Sequence, residues 1–188
     1  MKLWQSRVDK IAVDVTYMQM FDAPVYDAPC APDSVQVLRA DQPPAAFYRF
    51  LYGTVGKQWR WYERLKLTDN ELNCILHTPH VEVHVLYVGG VPAGYVEMVR
   101  EASNETEIAY FGLMPDFIGQ GLGRFFLEWS LTYAWSRRPV RVWLHTCSLD
   151  HPRALPNYQR AGLVSYRRER VFIIDPRSQY PDLGSGIG

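Results

Sequence analysis

The alternation of apolar and polar residues divides the chain into short strands and amphipathic helices. Val13-Asp-Val15-Thr-Tyr17 alternates with period two, the mark of a strand with one buried face. It leads into Phe21-Asp-Ala-Pro and then Tyr26-Asp-Ala-Pro, a unit stated twice and too short for a repeat architecture. X-Pro steps hold such a segment extended, so residues 1–34 read as an N-terminal strand and a proline-containing arm strapped over the core. Ser34-Val-Gln-Val-Leu-Arg reads as the next strand. Pro43-Pro44 opens a helix through Phe47 and Leu51 that ends near Gly53, with its prolines confined to the start. Thr68-Asp-Asn-Glu71 matches a capping box, in which hydroxyl and carboxylate each satisfy an orphan N–H, and predicts a short helix from Asp69 to His77.

Val81–Val88 and Pro92–Val99, joined by Gly89-Gly90, predict a hairpin. Glu107–Met114 reads as a strand ending at Pro115. Leu127, Leu131 and Ala134 share one face of a helix from Gly123 to Arg138, where Arg137 and Arg138 complement the dipole. Arg141–Cys147 is another strand. A helix over Pro152–Arg160, complicated by Pro156, is stopped by Gly162. Leu163–Tyr166 and Arg170–Ile174 then close the sheet as two strands. This order is a mixed α/β layer and not a regular doubly wound alternation.

With 188 residues, 47% hydrophobic and 21% charged, the chain can bury the core of one ordinary domain, which excludes a disordered tail, a fibre or a disulfide miniprotein. No apolar run approaches a membrane span, and charges interrupt the first 15 residues before a signal-peptide core forms. The cysteines Cys30, Cys74 and Cys147 are odd in number and scattered, which fits a reducing compartment. A cytoplasmic protein without membrane contact is expected. The net charge of zero argues against generic nucleic-acid binding, but its distribution is uneven. Residues 1–116 hold 10 Lys/Arg against 15 Asp/Glu, while residues 117–188 hold 10 against 5. The second part suits an anionic ligand. The alternative is that Arg137, Arg138 and Arg141 solvate a helix end and that Arg167, Arg168 and Arg170 line an exposed strand face.

Ile118-Gly-Gln-Gly-Leu-Gly-Arg124 lies between a predicted strand and a predicted helix. Glycines at 119, 121 and 123 let backbone N–H groups turn inward beside the positive end of a helix, a cradle for pyrophosphate. The dinucleotide fingerprint and the P-loop both need other spacings, so a different phosphate ligand is required.

Here the chain resembles the GNAT superfamily of CoA-dependent N-acetyltransferases, whose loop reads Arg/Gln-x-x-Gly-x-Gly/Ala after the fourth strand. Ile118 stands where the family has a polar residue, and Arg124 or Gln120 is positioned to compensate. The family's Asn-x-x-Ala-x-x-x-Tyr-x-x-x-Gly-Phe is similar to His151-Pro-Arg-Ala154-Leu-Pro-Asn-Tyr158-Gln-Arg-Ala-Gly162-Leu163, with His151 in the place of Asn. The resemblance covers about Val35 to Ile174. It implies a central, mostly antiparallel twisted sheet of six to seven strands flanked by about four helices, with residues 35–175 as the acetyltransferase domain. The N-terminal strand and arm are an addition to it, and residues 176–188 are expected to form a flexible tail.

The resemblance further implies direct acyl transfer from acetyl-CoA to a primary amine, with no metal. Such a site must orient two substrates, take a proton from an ammonium and return one to a thiolate. Glu107 is the candidate base, directly or through water, with Glu97 and Glu101 as competitors. Tyr158 is the candidate acid, its phenol placed by the resemblance beside the CoA sulfur. Backbone N–H groups around Phe111, Gly112 and Leu113 should bind the acetyl oxygen, and Gly112 permits a bulge or a close approach. Pantetheine should pair where this strand splays from Trp143–Thr146, which puts His145 and Thr146 on the cofactor side. Ile118, Gly119, Gln120, Gly121, Leu122, Gly123, Arg124 and His151 complete the expected cofactor contacts.

Two histidine groupings, His77/His80/His84 and His145/Cys147/His151, are rejected as zinc sites because neither offers a recognised ligand spacing. Tyr48, Tyr52, Trp59, Trp61 and Tyr62 are candidates to shape an aromatic acceptor pocket. The expected partner is a small-molecule amine, or less readily a peptide, and the acidic first part of the chain fits a cation. The N-terminal strand is expected at an edge, free to pair across a homodimer. The competing reading is a catalytically weak acyl-CoA-binding regulatory or sensor module.

Overall fold

The period-two runs pair into one sheet in a computed structural model that describes residues 10–26 and 30–183. Its strands are β1 (Lys10–Met20), β2 (Val35–Ala40), β3 (Val81–Val88), β4 (Val91–Arg100), β5 (Glu105–Leu113), β6 (Arg141–Cys147) and β7 (Val164–Ile174). Their spatial order is β2-β3-β4-β5-β6-β1-β7. Every neighbouring pair is antiparallel except β5 and β6. The helices are α1 (Ala45–Gly56), α2 (Asp69–Leu76), α3 (Leu122–Trp135) and α4 (Ala154–Arg160).

Two apolar clusters cover the two faces of the sheet. Tyr48, Leu51, Tyr52 and Val55 of α1 join Leu72 and Leu76 of α2 over β3 and β4. Phe126, Leu127, Leu131 and Ala134 of α3 pack with Tyr158 of α4 against Met98, Ile108, Val142 and Leu144. The spacing read from Leu127, Leu131 and Ala134 is thus the stripe that faces the core. The capping box is formed: Thr68 Oγ1 accepts from the Glu71 N–H at 3.3 Å, and Glu71 Oε2 accepts from the Thr68 N–H at 2.8 Å.

Several boundaries differ from the sequence reading. The helix expected to end near Gly53 continues to Gly56, and α3 stops at Trp135, with Arg138 turned to a positive φ of 53°. Arg137 reaches Glu82 of β3 at 3.5 Å. Pro156 is the third residue of α4, in the first turn, where its missing N–H has no intrahelical partner to lose. The two closing strands are one strand, β7. The charged run Arg167–Glu169 does not interrupt it because β1 supplies a ladder along its length and the edge tolerates charge.

The largest correction concerns the N-terminal strand. β1 is not at an edge; it lies between β6 and β7, with Tyr17 opposite His145 on one side and Val13 opposite Val171 on the other. The exposed edge belongs to β7, so the expected dimer pairing through β1 is withdrawn. Of the arm, Tyr26 is half-buried beside Glu128 and Arg124 of α3, where burial pushes its phenol up to about 12. The rest of its second aromatic unit, 27–29, lies outside the described residues. Pro176–Ser178 forms a 3-10 turn and Leu183 is buried, while residues 184–188 of the expected tail lie outside the description. Among the described residues no helix is long and apolar enough to cross a membrane.

Candidate active site

β5 and β6 pair only over Glu105–Glu107 and Arg141–Trp143 and then part. At the closed end Arg141 Nε donates to Glu105 at 3.0 Å. Next to it β5 carries one extra residue, Ala109, where its register with β4 slips between Glu97/Tyr110 and Met98/Ile108. Such a bulge sharpens the local twist and turns the strand away. The parted strands, α3, α4 and the segment between α1 and α2 enclose a cleft of about 660 Å³. Gly112 is not at the bulge. A Cβ there would strike Val55 of α1, so close helix approach is its reason.

The three glycines of the loop differ in conformation. Gly119 (φ 87°) and Gly121 (φ 82°) are left-handed and open to the cleft. Gly121 is the N-cap of α3, and among the described residues no side chain accepts from the first N–H groups of that helix. Gly123 has ordinary helical geometry, and a Cβ would make a normal 3.6 Å contact with Leu113. Ile118 and Arg124 line the cleft, Arg124 pairing with Glu128 at 2.7 Å. Gln120 turns away to the Asp116 carbonyl at 2.8 Å, and Leu122 is buried in the core.

On the α3/α4 face, Tyr158 is buried, lines the cleft and has its ring 6.4 Å from that of Phe111. Burial pushes its phenol pKa well up, and its hydroxyl has no hydrogen-bond partner among the described residues. On the opposite face His145 lines the cleft, and its Nδ1 lies 3.7 Å from Glu107 Oε1. The Glu107 carboxylate beside it raises the imidazole pKa against the opposing effect of burial. Glu107 itself does not line the cleft. The two are brought together with the imidazole in front and the carboxylate behind.

Thr146 and His151 have other work. The Thr146 side chain is buried, does not line the cleft and donates to Asp150 Oδ2 at 2.7 Å. His151 lines the cleft, but its Nδ1 accepts the Arg153 N–H at 3.0 Å at the start of α4, and its ring sits 5.2 Å from Trp59. Of the competing carboxylates, Glu97 is fully buried, held by Tyr48 and Arg64, with burial raising its pKa. Glu101 accepts from Ser103 at 3.3 Å on the surface turn.

Residues that the sequence reading did not single out also border the cleft. Arg153, just before α4, and Arg160 of α4 add positive charge to the cleft. Glu63 accepts from the Tyr110 hydroxyl at 2.8 Å. Asp150 closes a turn by accepting the Cys147 N–H at 2.8 Å and reaches Trp61 Nε1 at 3.4 Å. An Asp three residues past a strand end and just before a helix is a recognisable turn signal for that last one. His84 is buried against Trp129 and Tyr133, and burial drives its pKa to about 4. His77 Nε2 lies 3.2 Å from the Pro43 carbonyl. Among the described residues no three His, Cys, Asp or Glu side chains gather to hold a metal.

The family model described as Acetyltransferase (GNAT) family matches residues 40–163, a span that contains β5, the glycine loop, α3, β6 and α4. The chain belongs to the GNAT acetyltransferase family. Solved GNAT structures share the fold. A GCN5-related N-acetyltransferase from Sphaerobacter thermophilus aligns at 16% identity and TM-score 0.64, over 86% of this chain and 52% of its own. One from Kribbella flavida aligns at 18% and 0.57, over 93% and 63%. This chain therefore spans about half to under two thirds of their length. The spermidine N-acetyltransferase from Vibrio cholerae, in complex with CoA and spermine, aligns at 17% and 0.59, over 80% and 99%. At these identities the likeness is one of fold. No curated protein matches the chain.

Proposed function

We propose that this GNAT protein is an acetyl-CoA-dependent N-acetyltransferase that passes the acetyl group directly to a primary amine of a small molecule. The observation that carries the reading is the parting of β5 from β6 with a left-handed glycine cradle at α3 beside it. The residues present fit CoA. Gly119 and Gly121 leave room where a side chain would stand, the first N–H groups of α3 lack side-chain acceptors among the described residues, and Arg124, Arg153 and Arg160 border the cleft. Bound acetyl-CoA supplies the thioester whose carbonyl carbon the amine attacks. N–H groups of Phe111–Leu113 receive the acetyl oxygen as its charge grows.

Proton handling divides between the two faces of the sheet. The amine reaches the thioester carbonyl only as a free base, so its proton must leave first. His145 takes that proton from the acceptor side, and Glu107 holds the imidazole and stabilises its charge, refining the expectation of Glu107 as the base itself. The C–N bond forms, the C–S bond breaks, Tyr158 gives a proton to the departing sulfur from the α4 side, and the second proton shed by the new amide nitrogen leaves through solvent, from which the phenolate is reprotonated. A phenol raised by burial stays protonated until that step. Calorimetric titration with acetyl-CoA, with NAD and ATP as controls, tests the donor half. Selective micromolar binding is expected, and equal or absent binding would remove the reading. Binding without thiol release by any amine would favour a sensor module.

A further inference from the structure

Strands outside the family match build one wall of the cleft. Val13 and Val15 of β1 and Val171 and Ile173 of β7 line it, and all four lie outside residues 40–163. Val13 stands opposite Val171 in an antiparallel ladder, and residues two apart on a strand share a face, so the four form one aliphatic surface. It adjoins the acceptor side, because Val15 pairs with Cys147, two residues beyond His145. Trp59 and Trp61, between α1 and α2, line the same cleft.

The polar groups around this wall are already engaged. Asp150 accepts from Thr146, from the Cys147 N–H and from Trp61. Glu169, next but one to Val171, accepts from the Tyr17 hydroxyl at 2.7 Å and pairs with Arg167. Asp175 is held by Arg177 at 2.6 Å. Glu63 differs: Tyr110 binds its Oε2, while its Oε1 has no hydrogen bond among the described residues. Of the two imidazoles that line the cleft, His151 is held by the Arg153 N–H, so among the described residues an ammonium is offered the Glu63 Oε1 oxygen and the His145 ring, with aliphatic and indole surface beyond them.

We infer that the acceptor is a monoamine carried on an apolar body, its nitrogen between Glu63 and His145 and its chain along the Val13/Val15/Val171/Ile173 wall. This rests on the transferase reading above. A second ammonium further along the chain would be stripped of water against aliphatic side chains with no free carboxylate beside it, and Arg60, which also lines the cleft, would repel it. Each methylene laid on the wall gains transfer free energy, so acceptor length should be read in kcat/KM. The strands that the family match leaves out therefore set the choice of amine.

The test is thiol release from acetyl-CoA with ethylamine, hexylamine and spermidine as acceptors, on the full chain. The expected result is a kcat/KM for hexylamine at least about tenfold above those for ethylamine and spermidine. Val171→Asp should cut the hexylamine value by about tenfold or more while acetyl-CoA affinity by calorimetry is kept. If that variant does not fold, the wild-type comparison decides alone. Spermidine equal to or better than hexylamine, or no gain from ethylamine to hexylamine, overturns the inference and leaves the transferase standing. No thiol release with any of the three from a protein that binds acetyl-CoA overturns both.

Discussion

His145 Nδ1 lies 3.7 Å from Glu107 Oε1, across the seam where β5 and β6 stop pairing. A carboxylate behind an imidazole fixes which nitrogen faces the cleft and favours the charged ring. The other groups about the ring are Tyr17 on β1, with Arg167 over its ring, and Glu63 and Asp150, whose negative charges push the same way.

Because the His145 pKa is raised, the base form gains population only as pH climbs through that elevated value. The rising limb of kcat/KM against pH should follow this ionisation. Glu107→Gln removes the largest cause of the shift, so the limb should move to lower pH. His145→Gln should abolish the limb and lower kcat by about a hundredfold or more, with acetyl-CoA affinity kept. A pH–rate profile that is identical in all three proteins would assign the proton to another group.

Tyr158→Phe keeps the ring that packs with Phe111 and removes only the hydroxyl. Turnover should fall by about a hundredfold or more while acetyl-CoA binding changes little. Unchanged turnover, measured by thiol release, would eliminate Tyr158 as the proton donor.

The three glycines of the loop should not respond alike. Gly121→Ala forces a Cβ into a left-handed conformation at φ 82°, at a cost of about 1–2 kcal/mol, and narrows the cradle. Both stability in denaturant and acetyl-CoA affinity should drop. Gly123→Ala meets Leu113 at an ordinary 3.6 Å in a helical position, so stability should hold or rise by up to about 1 kcal/mol. Equal losses in the two variants would contradict the assignment of the cradle to Gly119 and Gly121.

Features carried by neighbouring residues were legible in the sequence, and features made by distant pairings were not. Thr68 and Glu71 cap α2 as read because a capping box is local chemistry. The glycine loop was readable for the same reason, although which glycines are left-handed was not. The period-two run of β1 announced a strand but not its place, since the pairing of Tyr17 with His145 is decided by tertiary fit. The alternation of His145 with the buried Leu144 and Thr146 turns it to the face away from α3, which the family motif alone does not reveal. The contact of Glu63 with Tyr110 joins a loop to a strand, and no local pattern encodes it.

The central claim is transfer, and the most direct measurement is the mass of the amine product formed beside free CoA when the protein is mixed with acetyl-CoA and hexylamine. The account predicts N-acetylhexylamine and CoA in equal amounts, with both lost together in Tyr158→Phe. CoA release without acetylated amine, or acetylated amine at the uncatalysed rate, would contradict it.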